Sequence, residues 1–293
     1  MEPLDPRRVL IFRAVARAGS ISAAARELGW TQPAVSQHLA RLERDAGGPL
    51  LLRGASGVRL TEAGTALLRR ADAVAGELYA AGEELAALAD LRGGRVRLVA
   101  FPSAAATLVP DALAALARER PGLQVGLEEA EPPEAMALVE AGDADLALVF
   151  GYDGAPVGLG GLAWHPLLEE PVHLVLPADG TEVTGLAELA GAEWIAGCVR
   201  CRTHLVDCCV AAGFEPTLRH VTDDYVVVQN LVAAGLGVSV LPASALAAHR
   251  SAGVRTVEVV ELGTRRIGLA HRPGALDVPA TAAVAAALGR AAR

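Results

Sequence analysis

The sequence contains no lysine, so all 26 of its basic residues are arginines. Aromatic residues make up only 3% of the 293 positions, and the core must therefore be built mainly from alanine, valine and leucine. Hydrophobic residues at 52% and charged residues at 20% exclude a disordered or fibrous chain. At roughly 150 residues per domain, this length predicts about two domains.

Features of an exported or membrane-spanning protein are also lacking. Residues 1–8 show no apolar stretch behind a basic start, as a secretory signal would. The longest charge-free run, residues 225–248, is long enough for a bilayer, but glycine, asparagine, glutamine and Pro242 divide it into shorter elements. We therefore expect a cytoplasmic protein with no membrane span, whose four cysteines stay reduced.

Charge is distributed unevenly along the chain. The net charge of -8 argues at first against nucleic acid as a partner. However, residues 1–61 carry nine arginines and five acidic residues, residues 62–92 have a net charge of -3, and residues 93–293 carry the remaining excess of acid. A basic head on an acidic body predicts that only the head approaches a polyanion.

The basic head is predicted to contain three helices and a hairpin. Helices are expected over residues 6–18, 21–28 and 31–46, with Gly19 and Gly29 ending the first two. Two helices joined by a tight turn that contains glycine are typical of a helix-turn-helix. The apolar segments that follow, residues 50–53 and 58–60, predict a small two-stranded wing.

A long helix without proline is predicted from Thr61 to about residue 92. Its apolar positions repeat at alternating spacings of four and three, and they are Leu67, Ala71, Val74, Leu78, Ala81, Leu85 and Leu88. This heptad pattern favours a helix that links two domains and pairs two protomers. Packing of the same face on the protein's own body is the alternative.

From Arg95 onward, short apolar strand candidates alternate with helical segments, which is typical of a doubly wound α/β domain. The pattern occurs twice, and it predicts two lobes with a cleft between them. The second lobe is expected at about residues 168–265. The fold class is therefore α/β overall, behind an N-terminal winged helix-turn-helix and a long linker helix.

Three N-terminal segments give the chain a resemblance to the LysR-type transcriptional regulators. The matching runs are residues 12–20 with 23–28, residues 31–39 with 42–43, and residues 49–51 with 58–64, and looser matches follow at 121–122, 142–147 and 231–242. The aromatic residue that the family has after Pro49 and Leu50 is leucine here. The resemblance implies a DNA-binding domain at 1–61, a dimerising linker at 62–92, and an effector-binding body at 93–293 with a two-lobed, periplasmic-binding-protein-like fold.

The third helix and the wing are the expected DNA-reading elements. The candidate contacts are Thr31, Gln32, Pro33, Ala34, Ser36, Gln37, His38 and Arg41 on the helix and Arg53 and Arg59 on the wing. Glutamine pairs with adenine through two hydrogen bonds, and wing arginines suit backbone or minor-groove contacts. A solvated polar face is the alternative. The expected partner is double-stranded DNA with a pseudo-palindromic site, bound by a homodimer or homotetramer.

Strand ends that face the cleft are the expected effector site, because ligands bind there in open α/β sheets. The candidates are Pro102, Ser103, Gly197, Cys198, Thr222 and Asp223. Ser103 could hold an anion at a helix N-terminus or simply cap that helix. Asp223 and Asp224 would favour a cationic or hydroxylated ligand, or they could cap the helix that begins at Tyr225. The effector stays unidentified, and no cofactor is assigned.

The cysteines form one cluster, in which Cys198, Cys201, Cys208 and Cys209 surround His204. A thiol sensor is one interpretation, because peroxide-sensing members of the family carry two cysteines in the same region. A thiol at a helix N-terminus, such as Cys198, would then have a lowered pKa. A metal site of Cys198, Cys201 and His204, with or without Cys208, is the second interpretation. Small buried core residues are the third.

Other classes of protein are disfavoured by the motifs that the sequence lacks. It has no G-x-S-x-G, no H-E-x-x-H and no phosphate-binding loop, so an enzyme is not expected. A solute-binding protein would need an export signal and no basic head. The expected function is therefore DNA-binding transcriptional regulation controlled by a small effector, with thiol or metal sensing by residues 198–209 as the alternative.

Overall fold

The fold is taken from a computed structural model that describes residues 3–54, 57–88, 94–152, 154–180 and 182–293. The chain divides into two compact units, residues 1–83 with 140–143 and residues 84–139 with 144–293. Within the described ranges, no helix combines the length and the apolar character needed to cross a membrane.

The first unit is a three-helix domain with a wing. Its elements are α1 (Pro6–Ala18), α2 (Ile21–Glu27), α3 (Gln32–Asp45), β1 (Leu51–Gly54), β2 (Gly57–Leu60) and α4 (Glu62–Leu88). Local signals set the helix ends, since Ser20 Oγ accepts a hydrogen bond from the Ala23 amide at 3.0 Å and Gly29 adopts a left-handed φ of 67° in the turn before α3. Phe12, Val35 and Leu42 have no exposed surface and form its core.

The wing is joined to α3 and α4 by hydrogen bonds. Glu43 Oε1 accepts from the amides of Leu50 and Leu51 at 3.0 and 3.2 Å. Thr61 Oγ1 accepts from the Gly64 amide at 3.0 Å and caps the start of α4. Gly64 lies so close to the Leu50 carbonyl oxygen that any Cβ at this position would collide with it. Only glycine therefore allows the start of α4 to lie this close to the Leu50 carbonyl group.

The heptad face of α4 divides into two parts. Leu67 and Ala71 pack against the core of the first unit. Val74, Leu78 and Leu85 are 39%, 57% and 67% exposed. Val74, Leu78 and Leu85 are thus open to solvent in a single chain, whereas Leu67 and Ala71 are covered.

The second unit is a mixed α/β domain, as the alternating pattern predicts. Its elements are β3 (Arg95–Ala100), α5 (Pro102–Ala106), α6 (Leu108–Glu119), β4 (Gln124–Glu129), α7 (Pro132–Ala141), β5 (Leu146–Tyr152), β6 (Ala163–Pro177), β7 (Glu193–Ala196), α8 (Val199–Ala211), β8 (Thr217–Val221), α9 (Tyr225–Ala233), β9 (Val238–Pro242), α10 (Ala243–Ala248), β10 (Val254–Glu258), β11 (Thr264–His271) and α11 (Pro279–Ala291). The strand order is β4-β3-β5-β11-β6-β9-β7-β8, and β10 pairs with β6.

Strand β6 connects two lobes within this unit. Its residues 163–171 pair with β11 beside the parallel strands β3, β4 and β5 of the first lobe. Its residues 172–177 pair with β9 and β10 of the second lobe, where β7 and β8 run parallel to β9. The chain therefore enters the second lobe near Val172 and returns at Thr264.

Two elements differ from the sequence prediction. One of the helical segments predicted after Arg95, residues 104–120, is not a single helix, because it is broken at Thr107, where φ is -119° and ψ is -75°. Pro110 has no N–H to donate to the carbonyl of Ala106, so a continuous helix would lose a hydrogen bond there and gain a steric clash. Strand β10 was not predicted, because its five residues carry two charges and give no clear alternation.

Candidate DNA-binding surface and effector cleft

Helix α3 presents a polar face to solvent. Val35, Leu39 and Leu42 point into the core at spacings of four and three. On the other side, Thr31, Gln32, Pro33, Gln37 and Arg41 are exposed, and Ala34, Ser36 and His38 are half-buried. Gln32, Gln37 and Arg41 thus have donors and acceptors that the core does not use, and small neighbours leave room for close approach to a groove.

The wing carries two further arginines of the first unit. Strands β1 and β2 are antiparallel, with Arg59 opposite Leu52 and Arg53 opposite Val58. Arg59 is exposed, and the side chain of Arg53 lies outside the described part of the chain. By contrast, Arg8 is bound within the protein, because it forms ion pairs with Asp5 at 3.2 Å and Asp45 at 2.6 Å.

A cavity of about 60 Å³ lies between the two lobes of the second unit. All six residues predicted for an effector site line it, and they are Pro102, Ser103, Gly197, Cys198, Thr222 and Asp223. They follow β3, β7 and β8, whose ends meet at the cleft. Sequence reasoning did not find Glu131, Tyr152 and Arg265, which line the same cavity, and it named Cys201, another lining residue, only as a redox or metal candidate.

Arg265 is the buried cation of the cleft and is 2% exposed. Its Nε donates to Glu170 Oε1 at 2.7 Å, and its Nη2 donates to Ser103 Oγ at 2.7 Å and to Ser244 Oγ at 3.0 Å. The guanidinium also lies 4.6 Å from the ring centre of Phe150. Its charge is therefore balanced by Glu170, and the hydroxyl of Ser103 is engaged by Arg265.

The pair of Arg265 and Glu170 was missed because the two residues lie 95 positions apart. A usable signal was nevertheless present. Each is a charged residue within a strand that is otherwise rich in apolar side chains. A charge on the inward face of such a strand is buried, and burial requires a partner of opposite charge.

Two cysteine thiols meet at the wall of the cleft. Cys198 is the N-cap of α8, and its Sγ lies 3.2 Å from the Sγ of Cys201. The hydroxyl of Tyr152 donates to Cys201 Sγ at 3.4 Å, and the Tyr152 ring stacks on His204 at 3.7 Å. His204 in turn uses Nε2 to donate to the Leu262 carbonyl at 2.9 Å.

The prediction of a lowered pKa for Cys198 is wrong. Its thiol donates a hydrogen bond to Cys201 and is buried, and both effects raise the pKa of Cys198. Cys201 is instead the thiol whose pKa is lowered, first by the hydrogen bond from Cys198 and further by the charge of Arg265 and the hydroxyl of Tyr152. Burial, followed by the proximity of Cys198, raises the pKa of Glu131 to about 8.

The other two cysteines lie in the apolar core of the second lobe. Cys209 has no exposed surface, and Cys208 packs in the same cluster with Leu205 and Trp194. Burial raises the pKa of Cys209 to about 12. For this pair, the interpretation as small core residues fits the structure.

The arrangement of the described residues does not support the metal-site interpretation. Across these ranges, no group of three or more His, Cys, Asp or Glu side chains is placed to hold a metal ion. His204 faces Tyr152 and the Leu262 carbonyl, whereas Cys198 and Cys201 face each other. The cluster that is continuous in sequence is therefore divided between the cleft and the core.

Comparison with known families matches both units. Residues 6–65 match the bacterial regulatory helix-turn-helix protein model of the lysR family, and residues 89–293 match the LysR substrate binding domain. The chain belongs to the LysR family of bacterial transcriptional regulators, which are DNA-binding proteins and not enzymes. The predicted family, fold class and general function are thereby confirmed.

Individual relatives cover most of the chain. A probable hydrogen peroxide-inducible genes activator of Mycobacterium avium is 32% identical over 274 residues, 89% of this chain and 86% of that protein. The small neutral protease regulatory protein of Streptomyces coelicolor is 32% identical over 80% of this chain and 76% of its own. Among solved structures, full-length OxyR from Pseudomonas aeruginosa superposes with a TM-score of 0.73 at 21% identity, covering 98% of this chain and 95% of that one.

Proposed function

We propose that the protein works in the cytoplasm as a homo-oligomer that reads a pseudo-palindromic promoter site and responds to a small molecule held between the two lobes. Residues 1–61 would bind DNA, residues 62–92 would pair protomers, and residues 93–293 would bind the effector. The observation that carries this proposal is the polar face of α3, where Gln32, Gln37 and Arg41 are exposed, in a unit that also carries the exposed wing residue Arg59.

The DNA-reading part of the proposal is tested with single substitutions in gel-shift titrations. Gln32→Ala should relax sequence preference, because it removes a base contact. Arg53→Ala and Arg59→Ala should each weaken binding to all DNA and lower the salt-dependence slope by about one. Arg290→Ala, which changes an exposed arginine of α11 in the second unit, is the charge-matched control. Unchanged binding for every head variant would contradict this assignment.

Effector control requires that ligand binding shifts the lobes between open and closed populations. The six strand-end residues that line the cavity support this assignment. Metabolites can be screened for an altered DNA footprint, and hits can then be examined by small-angle scattering of the full chain. A ligand that binds the protein but leaves both the footprint and the scattering profile unchanged would contradict effector control.

Thiol sensing is the second candidate function, and the contact between Cys198 and Cys201 favours it. A hydroperoxide would oxidise the two thiols to one disulfide, and hydrogen peroxide itself would be reduced to two waters. The relative from Mycobacterium avium, whose name refers to hydrogen peroxide, is consistent with this chemistry. Peroxide should remove two titratable thiols and alter DNA binding, and Cys201→Ser should abolish both effects. Retention of all four thiols would exclude this candidate.

A further inference from the structure

The cleft is surrounded by carboxylates from both lobes. In the first lobe, Glu129 ends β4 and Glu131 follows it, and in the second lobe Asp223 and Asp224 precede α9. Glu131 and Asp223 line the narrow cavity. Glu129, Asp223 and Asp224 line a wider space of about 600 Å³ at its mouth. Asp223 therefore brings negative charge to the cavity and Glu129 and Asp224 bring it to the entrance, while Glu131 offers a carboxyl group whose pKa is raised.

Little positive charge is available to balance these acids. Among the described residues that line the cavity and the mouth, Arg265 alone is basic. Its charge is balanced by Glu170 at 2.7 Å, and these side chains are 3% and 7% exposed. A buried guanidinium with a buried carboxylate partner leaves no net positive charge for an anionic ligand.

The hydrogen-bond donors that would hold an anion are already engaged. At the start of α9, the amides of Val226 and Val227 donate to Asp224 Oδ1 at 2.8 and 3.2 Å. At the start of α8, the amide of Cys201 donates to Cys198 Sγ at 3.5 Å. The carboxylate of Asp224 thus caps α9 and the thiol of Cys198 caps α8, so fewer N–H groups are open to an anion at either helix, and at α9 an anion would meet a carboxylate.

Glu131 has an acceptor that the described residues do not satisfy. Its Oε2 is buried and forms no hydrogen bond within the part of the chain that the structure describes. Burial, then Cys198 and then Asp223 raise the pKa of Glu131, and the charge of Arg265 offsets this rise only in part. A cation with N–H donors would satisfy this oxygen and stabilise the ionised carboxylate in one contact.

On the basis of the effector role proposed for this cleft, we propose that its ligand is an aliphatic amine bound as an organic cation, with the ammonium group donating to Glu131. The small cavity accommodates the ammonium head, and the wider mouth accommodates the rest of the molecule. Glu129 and Asp224 at the mouth favour a second positive group, so a diamine should bind more tightly than a monoamine. Anionic effectors should be rejected, because they gain no free cation and face the carboxylates of Glu129, Asp223 and Asp224.

The test compares four-carbon probes of different charge on the full-length protein. Putrescine, butylamine, butanediol and succinate are titrated by calorimetry without DNA, and each is then added to a DNA footprinting reaction. We expect saturable binding of putrescine, weaker binding of butylamine, and no binding of succinate or butanediol. Glu131→Gln should lower the affinity for putrescine about tenfold or more, because a charge-assisted hydrogen bond is lost.

Two further variants keep the test decisive. Glu134→Gln changes an exposed carboxylate of α7 that lines neither space, and it should bind putrescine like the parent protein. Asp223→Asn should weaken binding in the same direction as Glu131→Gln, and it can replace that variant if the latter does not fold.

Failure of both amines to bind, or equal binding by the cleft variants and the control, would overturn the proposal. Succinate binding that alters the footprint would refute the amine while leaving effector control intact, and gel shifts without ligand report on DNA binding separately.

Discussion

At the scale of single residues, two neighbouring arginines on β11 have opposite surroundings. Arg265 points inward and pairs with Glu170, and both are buried. Arg266 points outward and pairs with Glu169 at 2.8 Å, with 53% and 45% of the two side chains exposed. Successive side chains of a strand face opposite sides, so the same residue type serves as an internal cation at one position and a surface charge at the next.

We therefore expect the two arginines to contribute very differently to stability. Arg265→Met leaves the carboxylate of Glu170 buried without its cation and should lower the free energy of unfolding by about 3–5 kcal/mol. Arg266→Met is the matched control and should have no measurable effect, because its partner is solvated. Urea unfolding followed by tryptophan fluorescence measures both. Similar losses for the two variants would show that burial does not govern the difference.

The raised pKa of Glu131 also predicts how stability depends on pH. The folded protein keeps this proton up to a pKa of about 8, whereas the ordinary value is 4.5. The folded state thus binds more protons than the unfolded state between these values, and the free energy of unfolding should fall as pH rises through that window. Glu131→Gln should remove this part of the slope in urea titrations at several pH values. Parallel curves for the two proteins would contradict the assignment.

At the scale of elements, the junction between the wing and α4 depends on one glycine. Gly64→Ala would press a methyl group against the Leu50 carbonyl oxygen and should lower the melting temperature. Gly82→Ala is the control on the same helix, where no atom lies within 4 Å of the added Cβ. It should raise stability by up to about 1 kcal/mol through helix propensity. Thermal melts of the two variants should therefore shift in opposite directions.

Elements could be predicted from the sequence wherever local signals determine them. Helix α1 was predicted with its observed limits, because Pro6 can start a helix and Gly19 ends one. The break at Thr107 was missed because the surrounding residues favour a helix. Pro110 was a local signal for this break. Strand β10 forms only through pairing with β6, so its own five residues contain too little information.

At the scale of the whole molecule, the exposed part of α4 predicts association through this helix. Leu78→Glu and Leu85→Glu place charges on the face that is open in a single chain, and they should shift sedimentation towards the monomer. Ala73→Glu, at an exposed position outside the heptad series, is the control and should leave the oligomer intact. An unchanged oligomeric state in both leucine variants would assign pairing to another surface.

The candidate sites, like the helices and strands, were predictable only where residues close together in the sequence determine them. The strand-end residues around the cleft were predictable, because they follow strands that the apolar pattern reveals. The cap that Asp224 forms on α9 is local and was among the alternatives that the sequence offered. By contrast, the contact of Tyr152 with Cys201 and the bond from Arg265 to Ser103 depend on segments far apart in the chain. Sequence spacing carries no information about such contacts, so they required the three-dimensional arrangement.

The guanidinium of Arg265 has a mechanical consequence for the movement of the lobes. It holds Ser103 of the first lobe and Ser244 of the second at the same time. Pulling the lobes apart at this point would break at least one of these bonds, whereas Glu170, the cross-strand neighbour of Arg265, would keep its ion pair. The easier motion is therefore rotation about Arg265 as a pivot. Rotation about this point moves residues at the distant rims of the cleft further than residues near Arg265.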